Sequence, residues 1–132
     1  MGLLSLFGCC KKTAPAYPQD KVVAKDGSEI IFTFFAHASF AIEHAGKHIY
    51  IDPVGDFAWE KMPKADAVLV THSHYDHLEL STIEQLQTEK TVVLCDKTSA
   101  EAFVRCHFII PFVMINAEFR MQNAELLKLT AK

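Results

Sequence analysis

The sequence of 132 residues predicts a layered α/β fold. Three observations support this prediction: two β-hairpin patterns early in the chain, an alternation of strand-like and helix-like segments from Ala67 onward, and a polar motif that directly follows an apolar strand. Strands that alternate with helices are typical of a sheet with helices packed on it.

Two hairpins are predicted before the polar motif. Residues 22–24 and 29–34 have strand-like composition, and Asp26-Gly27 between them is a common hairpin turn. Residues 39–43 and 48–51 form a second pair around a polar turn. The start of the folded region should therefore be an antiparallel part of the sheet.

The second hairpin turn carries two histidines, His44 and His48. Their position at a polar turn favours a solvated surface location over metal binding. Both are therefore expected to lie away from the functional site.

The motif at residues 71–77 contains most of the functional information. It places four potential metal ligands, His72, His74, Asp76 and His77, within six positions directly after the apolar run 67–70. Side chains two positions apart in an extended turn point the same way, so His72 and His74 can bind one ion. Asp76 and His77, expected to enter a helix, can then face a second ion.

The types of ligand in this motif favour a catalytic site. Imidazole nitrogen and carboxylate oxygen are ligands for zinc, and manganese or iron are alternatives. Structural zinc sites rely on cysteine thiolates, but no cysteine lies near the motif or forms a Cys-x-x-Cys pair. The alternative interpretation is a polar loop that is rich in histidine and binds no metal.

A helix, a strand and a second helix are predicted after the motif. Ser81 and Glu84 have the spacing of a capping box, which predicts a helix that begins at Ser81. Residues 91–94 are strand-like, and residues 99–103 are helix-like. Cys95, at the end of the predicted strand, is expected to be a small core residue.

Two polar residues lie at the ends of predicted strands near the motif. Asp52, which precedes Pro53, can accept a hydrogen bond from a ligand imidazole and fix its tautomer. His37 is a second candidate for this outer shell of the metal site. The alternatives are an ordinary turn aspartate and an ordinary loop histidine.

The pattern His-x-His-x-Asp-His after a hydrophobic strand resembles the signature of metallo-β-lactamase-fold hydrolases. Residues 34–42, 49–53 and 65–72 are similar to the branch that contains ascorbate-6-phosphate lactonase-like proteins. The resemblance covers about residues 29–104. Ala36 departs from it, because the branch usually has glycine before His-Ala-Ser, and the backbone is expected to differ there.

The resemblance implies an αββα sandwich built from two similar halves, of which this chain supplies about the first. It implies zinc-dependent hydrolysis of a small-molecule lactone, ester or phosphodiester by a metal-activated water, with His72, His74, Asp76 and His77 as ligands. Asp76 would also orient the water. The family takes its remaining ligands from the later half, whereas His107 is the only histidine here after the motif and lies in an apolar run.

The chain is accordingly expected to be a truncated hydrolase that is weakly active or inactive. The alternative function is a non-catalytic metal-binding remnant, or a half-domain that associates through an exposed sheet face. His107 is expected to be a core or strand residue and not a metal ligand. Residues 104–132 diverge from the family, and a natural short form, an artificial boundary and a frameshift are the three explanations.

Residues 1–20 form a separate predicted segment, so that the half-domain covers residues 21–132. Leu6-Phe7-Gly8-Cys9 resembles the end of a bacterial lipoprotein signal, which makes Cys9 a candidate lipidation site. This implies an envelope protein with a lipid anchor if the true start lies upstream. The alternative is a frayed amphipathic tail on a cytoplasmic protein.

Composition excludes two other classes of function. The formal net charge is −3 and no basic stripe is present, so a nucleic-acid partner is not expected. No apolar run approaches the roughly 18 residues of a membrane span.

Overall fold

The computed structural model describes residues 17–106 and 112–114. Within these ranges the chain forms one seven-stranded sheet whose spatial order follows the sequence. The mixed α/β class is therefore confirmed. The strands are β1 Gln19–Val23, β2 Glu29–Phe34, β3 Phe40–His44, β4 Lys47–Ile51, β5 Ala67–Leu69, β6 Val92–Cys95 and β7 Phe112–Met114, and the helices are α1 Leu80–Leu86 and α2 Lys97–Arg105, with a 3-10 turn at Trp59–Lys61.

Both predicted hairpins are present. Strands β1 to β4 pair antiparallel, and β4 to β7 pair parallel. The second turn is Ala45-Gly46, with φ of 50° and 72°, the left-handed conformation that a tight two-residue hairpin requires. This tighter turn shifts the strand ends by one residue from the predicted bounds.

The ordered sheet begins before the predicted boundary at residue 21. Gln19 already pairs with Thr33, and its side-chain amide donates to the threonine hydroxyl at 2.9 Å. The Tyr17 ring lies 4.9 Å from that of Phe35 and 5.7 Å from that of Phe57. Residues 17–20 therefore contact the folded domain, because strand pairing and aromatic packing begin before the first hydrophobic residue of β1, Val22.

The two helices pack on one face of the sheet. This core joins buried sheet residues to Trp59 and to helix residues, and its members include Tyr50, Val68, Val93, Cys95, Ile83, Leu86 and Phe103. Burial raises the pKa of the Tyr50 hydroxyl well above its usual range, and this hydroxyl donates to the Pro63 carbonyl at 2.7 Å. The Cys95 thiol is buried in this core, as predicted.

The opposite face of the sheet is apolar across nearly its whole width. We call it the apolar face, and it comprises two cross-strand rows: Phe34, Phe40, Ile51, Leu69, Leu94 and Val113, and Phe32, Ile42, Ile49, Ala67 and Val92. Phe34, Ile49 and Val113 keep 41%, 37% and 52% of their surface exposed. An apolar face of this kind is suited to packing against another layer.

The segment after the motif differs from its prediction. Asp76 and His77 do not enter a helix but lie in a turn, in which the His74 carbonyl accepts from the amides of His77 and Leu78 at 2.9 and 2.8 Å. Helix α1 begins later, at Leu80. Leu78 and Leu80 both pack against the core, and this packing sets where the chain turns into the helix.

The predicted capping box at Ser81 is wrong. Ser81 lies inside the first turn of α1, and the N-cap is Glu79 without a side-chain capping bond. The Ser81 hydroxyl instead donates to the Glu79 carboxylate at 3.2 Å, and a second oxygen of that carboxylate accepts from the Gly55 amide at 2.8 Å. Glu79 therefore ties α1 to the loop after β4.

Helix α2 is confirmed and is longer than predicted. Its N-cap is Asp96, whose carboxylate accepts from the Ser99 amide at 3.0 Å. Among the described helices none is long and apolar enough to cross a membrane. His107 and Cys9 lie outside the described residues.

Candidate metal centre

The topology brings the ends of three strands to one edge of the sheet. Strands β2 and β4 both pair antiparallel with β3, so they run in the same direction, and β5 is parallel to β4. Their carboxyl ends therefore share an edge. His37 follows β2, Asp52 follows β4, and Thr71 begins the motif after β5.

One group of candidate ligands consists of His72, His74 and Asp76. Each offers one nitrogen or oxygen atom, and these atoms lie within 4.8 Å of one another. The rings of His72 and His74 have centroids 4.6 Å apart. His74 is exposed while the other two are partly buried, so the group lies at the surface of the domain.

A second group consists of His37, Asp76 and His77. The Nε2 atoms of His37 and His77 are 3.4 Å apart, and the Asp76 Oδ2 atom lies 3.3 Å from the first and 3.8 Å from the second. Asp76 thus belongs to both groups. The four motif residues lie together as the sequence predicted, and His37 joins them at the same range of distances.

Asp52 has the geometry that its predicted outer-shell role requires. This carboxylate is 1% exposed, and its Oδ2 atom lies 2.7 Å from Nδ1 of His77. An ionised carboxylate only accepts hydrogen bonds, so the proton of a neutral His77 lies on Nδ1. The lone pair of Nε2 is then directed toward Asp76 and His37.

Thr71 is a site residue that the sequence analysis missed. Its amide donates to Asp52 Oδ1 and its hydroxyl to Asp52 Oδ2, each at 2.7 Å. Three donors therefore surround one buried carboxylate, which fixes its orientation. A hydroxyl residue between the strand and the first motif histidine was the available signal.

Ser39 is the second residue that the sequence analysis missed. It is buried, its hydroxyl donates to the Asp52 carbonyl, and it accepts from the Val54 amide at 3.2 Å. The loop after β2 is thereby attached to the turn after β4. The signal for this role was the serine of the run His37-Ala38-Ser39.

The backbone is unusual at two of the site residues. His37 and Asp52 have φ of 53° and 42°, in the left-handed region that non-glycine residues rarely adopt. Such conformations cost of order 1–3 kcal/mol each and cluster at functional sites. Ala36 does not take a positive φ, so it fits where the resembling branch has glycine.

The hairpin histidines lie away from this centre, as expected. His44 and His48 are at the turn that begins β4, whereas Asp52 follows the end of the same strand. The His48 amide donates to Asp66 at 3.0 Å, and a His44 ring nitrogen lies 3.1 Å from the Glu29 carbonyl. Neither belongs to either candidate group.

Another acidic residue, Asp96, follows β6 at the same edge but serves a structural contact. Burial acts to raise the pKa of Asp96. Hydrogen bonds from Ser99 and Thr98 act in the opposite direction and together outweigh it, so the pKa of Asp96 is lowered. Its carboxylate is held at the start of α2. It is therefore not a member of the candidate metal centre.

An open cleft of about 480 Å³ lies beside His37. Apolar residues Phe34, Phe40 and Ile51 line one part of it, and His37 and Thr71 line another. Its size is adequate for a small molecule.

Comparison with known proteins identifies the family. Residues 31–129 match the family described as the beta-lactamase superfamily domain. The chain belongs to this superfamily. The predicted metallo-β-lactamase fold is thereby confirmed, with the partial coverage expected for its first half.

The relatives that match short stretches of the chain carry UPF0173 names, and one of the two described here is named as a metal-dependent hydrolase. The chain is 47% identical over 58 residues to a UPF0173 metal-dependent hydrolase of Flavobacterium johnsoniae. The matched stretch covers 39% of this chain and 26% of that relative. The chain is also 46% identical over 41 residues to a UPF0173 protein of Pyrococcus furiosus. That stretch covers 31% of this chain and 20% of the Pyrococcus protein. The chain therefore spans about a quarter or less of these relatives.

Two solved structures have the same fold. A protein of Parabacteroides distasonis described as a metal-dependent hydrolase has a TM-score of 0.65 and 30% identity, covering 67% of this chain and 41% of that one. Igni18, a metallo hydrolase from Ignicoccus hospitalis, has a TM-score of 0.51 and 20% identity, covering 66% and 40%. The second likeness concerns the fold alone.

Proposed function

We propose that this chain is the half of a zinc-dependent hydrolase of small molecules that carries the motif of metal ligands. The observation that carries the proposal is the convergence of His72, His74, Asp76 and His77 at one sheet edge, with the buried Asp52 holding the His77 ring. A polar loop without a metal would not require a buried carboxylate behind one imidazole.

The donor atoms fit zinc better than a hard cation. Each candidate group contains two imidazole nitrogens and a carboxylate oxygen, the mixture that zinc accepts at about 2.0–2.2 Å. Calcium and magnesium prefer sites built from oxygen alone. Manganese and iron accept the same ligands and are the alternatives to be tested.

Each side chain has a distinct proposed role. When bound, zinc lowers the pKa of a water molecule toward neutrality and polarises the oxygen of the electrophile. His72 and His74 bind the ion as neutral imidazoles. Asp76 lies between the two groups, so its carboxylate can bind metal and accept a hydrogen bond that orients the attacking water. Asp52 keeps the His77 proton on Nδ1.

The substrate is proposed to be a small lactone, ester or phosphodiester. The cleft beside His37 joins an apolar wall to the polar edge, which suits a molecule with a hydrolysable group at one end. The formal net charge of −3 gives no support for a nucleic-acid partner. A sugar-phosphate lactone is the first candidate, because of the resemblance to the lactonase-like branch.

Full activity is proposed to need more residues than this chain supplies. Two-metal hydrolysis requires both ions to be held about 3.5–4 Å apart and fully coordinated. The chain covers 41% of the Parabacteroides structure, and the later part of the family fold is proposed to supply the remaining ligands. The isolated chain should therefore be weakly active or inactive.

The test compares this chain with a version extended by the second half of the Parabacteroides protein. Both are assayed with added zinc or manganese on a phosphorylated sugar lactone and on a chromogenic phosphodiester. The extended form should hydrolyse at least one substrate, and His74→Ala should abolish this activity while His48→Ala preserves it. An inactive but folded extended form would overturn the hydrolase proposal.

The second candidate function is a half-domain that associates with itself. The apolar face favours it, because Phe34, Ile49 and Val113 remain about two-fifths to one-half exposed. Its two rows contain no charged residue from β2 onward, and Asp20 of β1 pairs with Phe32 at the end of one row. Exposed apolar areas of this kind commonly mark interaction surfaces. The absence of concentration-dependent association would argue against this candidate.

We also propose that Cys9 is lipidated if the natural start lies upstream. The motivation is the Leu-Phe-Gly-Cys sequence alone, since Cys9 lies outside the described residues. Expression from the upstream start in a bacterium with the lipoprotein pathway should give membrane-bound protein, and Cys9→Ser should release it. Unprocessed protein in the soluble fraction would contradict envelope anchoring and favour a cytoplasmic location.

A further inference from the structure

We infer that His37 binds metal directly and completes a second three-ligand site with Asp76 and His77. This deepens the proposed metal centre and rests on it. The sequence alone placed His37 in the outer shell of the metal site. The Nε2 atom of His37 would contact the ion, rather than acting through another ligand.

The three donor atoms have the separations of a coordination triangle. Their distances are 3.3, 3.4 and 3.8 Å between His37 Nε2, His77 Nε2 and Asp76 Oδ2. A circle through three points at these distances has a radius of about 2.0 Å, which matches zinc bonds to nitrogen and oxygen of about 2.0–2.2 Å. The three atoms are therefore close enough together for one zinc ion to bind all of them without rearrangement.

Hydrogen bonding explains these contacts less well. A proton on His37 Nε2 would have to serve an oxygen at 3.3 Å or a nitrogen at 3.4 Å. Both distances exceed the ordinary range of about 2.7–3.2 Å for an N–H donor. Ligand atoms around a tetrahedral zinc with bonds of about 2.0–2.1 Å are about 3.3–3.4 Å apart. Two of the three observed distances have this value, and the third, between His77 Nε2 and Asp76 Oδ2, is longer at 3.8 Å.

The tautomer of His77 is consistent with the same assignment. Asp52 accepts from Nδ1 of His77 at 2.7 Å, so the lone pair on Nε2 is available to a metal. With His37 also unprotonated at Nε2, two imidazole lone pairs and one carboxylate oxygen would lie within 3.8 Å of one another. A metal ion resolves the electrostatic repulsion among these three electron-rich atoms.

The loop that carries His37 is fixed on both sides of it. Before it, the Phe35 ring packs 4.6 Å from that of Trp59. After it, Ser39 is buried and its amide donates to the Ala36 carbonyl at 2.9 Å. His37 itself has a φ of 53°, and its ring Nε2 lies 3.4 Å from Nε2 of His77. The site is therefore built within this chain alone.

The decisive measurement is histidine-ring nitrogen NMR of the whole 132-residue chain, titrated with zinc. We expect the Nε2 signal of His37 to shift on zinc binding together with signals of the motif histidines. His37→Asn identifies that signal, and asparagine tolerates the left-handed backbone. His44→Asn is the matched control, because His44 lies at the opposite end of the sheet.

Zinc affinity provides the second measurement. Loss of outer-shell partners typically weakens metal binding about 10–100-fold, so removal of a direct ligand should exceed about 100-fold for one of the two ions. His37→Asn should show this loss at unchanged thermal stability of the metal-free protein, and His44→Asn should not. Chelator competition measures both ions without any assay of activity.

The possible outcomes separate this inference from the proposed function. Zinc-induced shifts at His72 and His77 with no shift at His37 would overturn the inference and leave the metal centre intact. A His37 shift without loss of affinity in His37→Asn would overturn it as well. If no histidine responds to zinc, the proposed metal-dependent function also fails.

Discussion

Asp52 Oδ2 lies 2.7 Å from Nδ1 of His77, and the carboxylate is almost fully buried. These two residues come from different strand ends, 25 positions apart in sequence. Asp52 also accepts two hydrogen bonds from Thr71. One carboxylate therefore orients a candidate ligand and anchors the start of the motif that contains the other three.

Asp52→Asn should weaken zinc binding about 10–100-fold. The amide places N–H donors where the carboxylate accepts from His77 and Thr71, so the His77 ring loses its fixed tautomer. Chelator competition on the folded protein is the measurement. Asp66→Asn is the control, because Asp66 also accepts two hydrogen bonds but lies near the start of β4. Equal affinities for wild type and Asp52→Asn would refute the role given to Asp52.

Thr71→Val should have a smaller effect on metal binding than Asp52→Asn. It removes the hydroxyl that donates to Asp52 Oδ2 but leaves the backbone donor in place. The free energy of unfolding should fall by about 1 kcal/mol, the usual contribution of one hydrogen bond. Urea denaturation measures this loss, and Thr71→Ser should largely restore it. A valine variant as stable as wild type would contradict the role given to the hydroxyl, because valine keeps the threonine methyl and lacks only the hydroxyl.

Charged substitutions on the apolar face should reduce self-association. Phe34→Glu and Ile49→Glu each place a carboxylate on this face, where desolvation in an interface is costly. Sedimentation velocity across a concentration series should show a shift toward monomer. Val104→Glu is the matched control, since Val104 is 58% exposed on α2. Association that persists unchanged in both face variants would exclude this surface as the interface.

Cys95 should resist alkylation at pH 8 while Cys106 reacts. Burial raises the pKa of the Cys95 thiol to about 11, whereas Cys106 is exposed. Peptide mapping after brief iodoacetamide treatment distinguishes the two positions. Comparable labelling at both positions in folded protein would show that the Cys95 environment is open.

The raised pKa of the Cys95 thiol also predicts how the free energy of unfolding depends on pH. The unfolded thiol loses its proton near pH 8.5, and the folded thiol retains it up to about pH 11. The folded state thus binds more protons in this window, and stability must decrease as pH rises through it. Urea midpoints for wild type should fall from pH 8 to pH 10 more than those for Cys95→Ala. Parallel pH profiles would contradict this assignment.

The sequence determined the local features of this protein. Turn residues at Asp26-Gly27 and apolar runs such as 67–70 located the hairpins and the strand before the motif, because hydrophobic periodicity and turn chemistry act over a few residues. The spacing of residues 72–77 identified the candidate ligands for the same reason. Asp52 was recognisable as a partner from its place at a strand end. The cap at Ser81 failed, because packing of Leu78 and Leu80 moved the start of the helix.

Only the tertiary structure decided which distant residues meet. His37 reaches Asp76 because β2 and β4 run in the same direction in one sheet, and strand order is not encoded by any local pattern. Thr71 and Ser39 acquired their roles through hydrogen bonds to Asp52 across neighbouring strand ends. These contacts depend on distances through space, whereas spacing along the chain constrains geometry only within a turn or two.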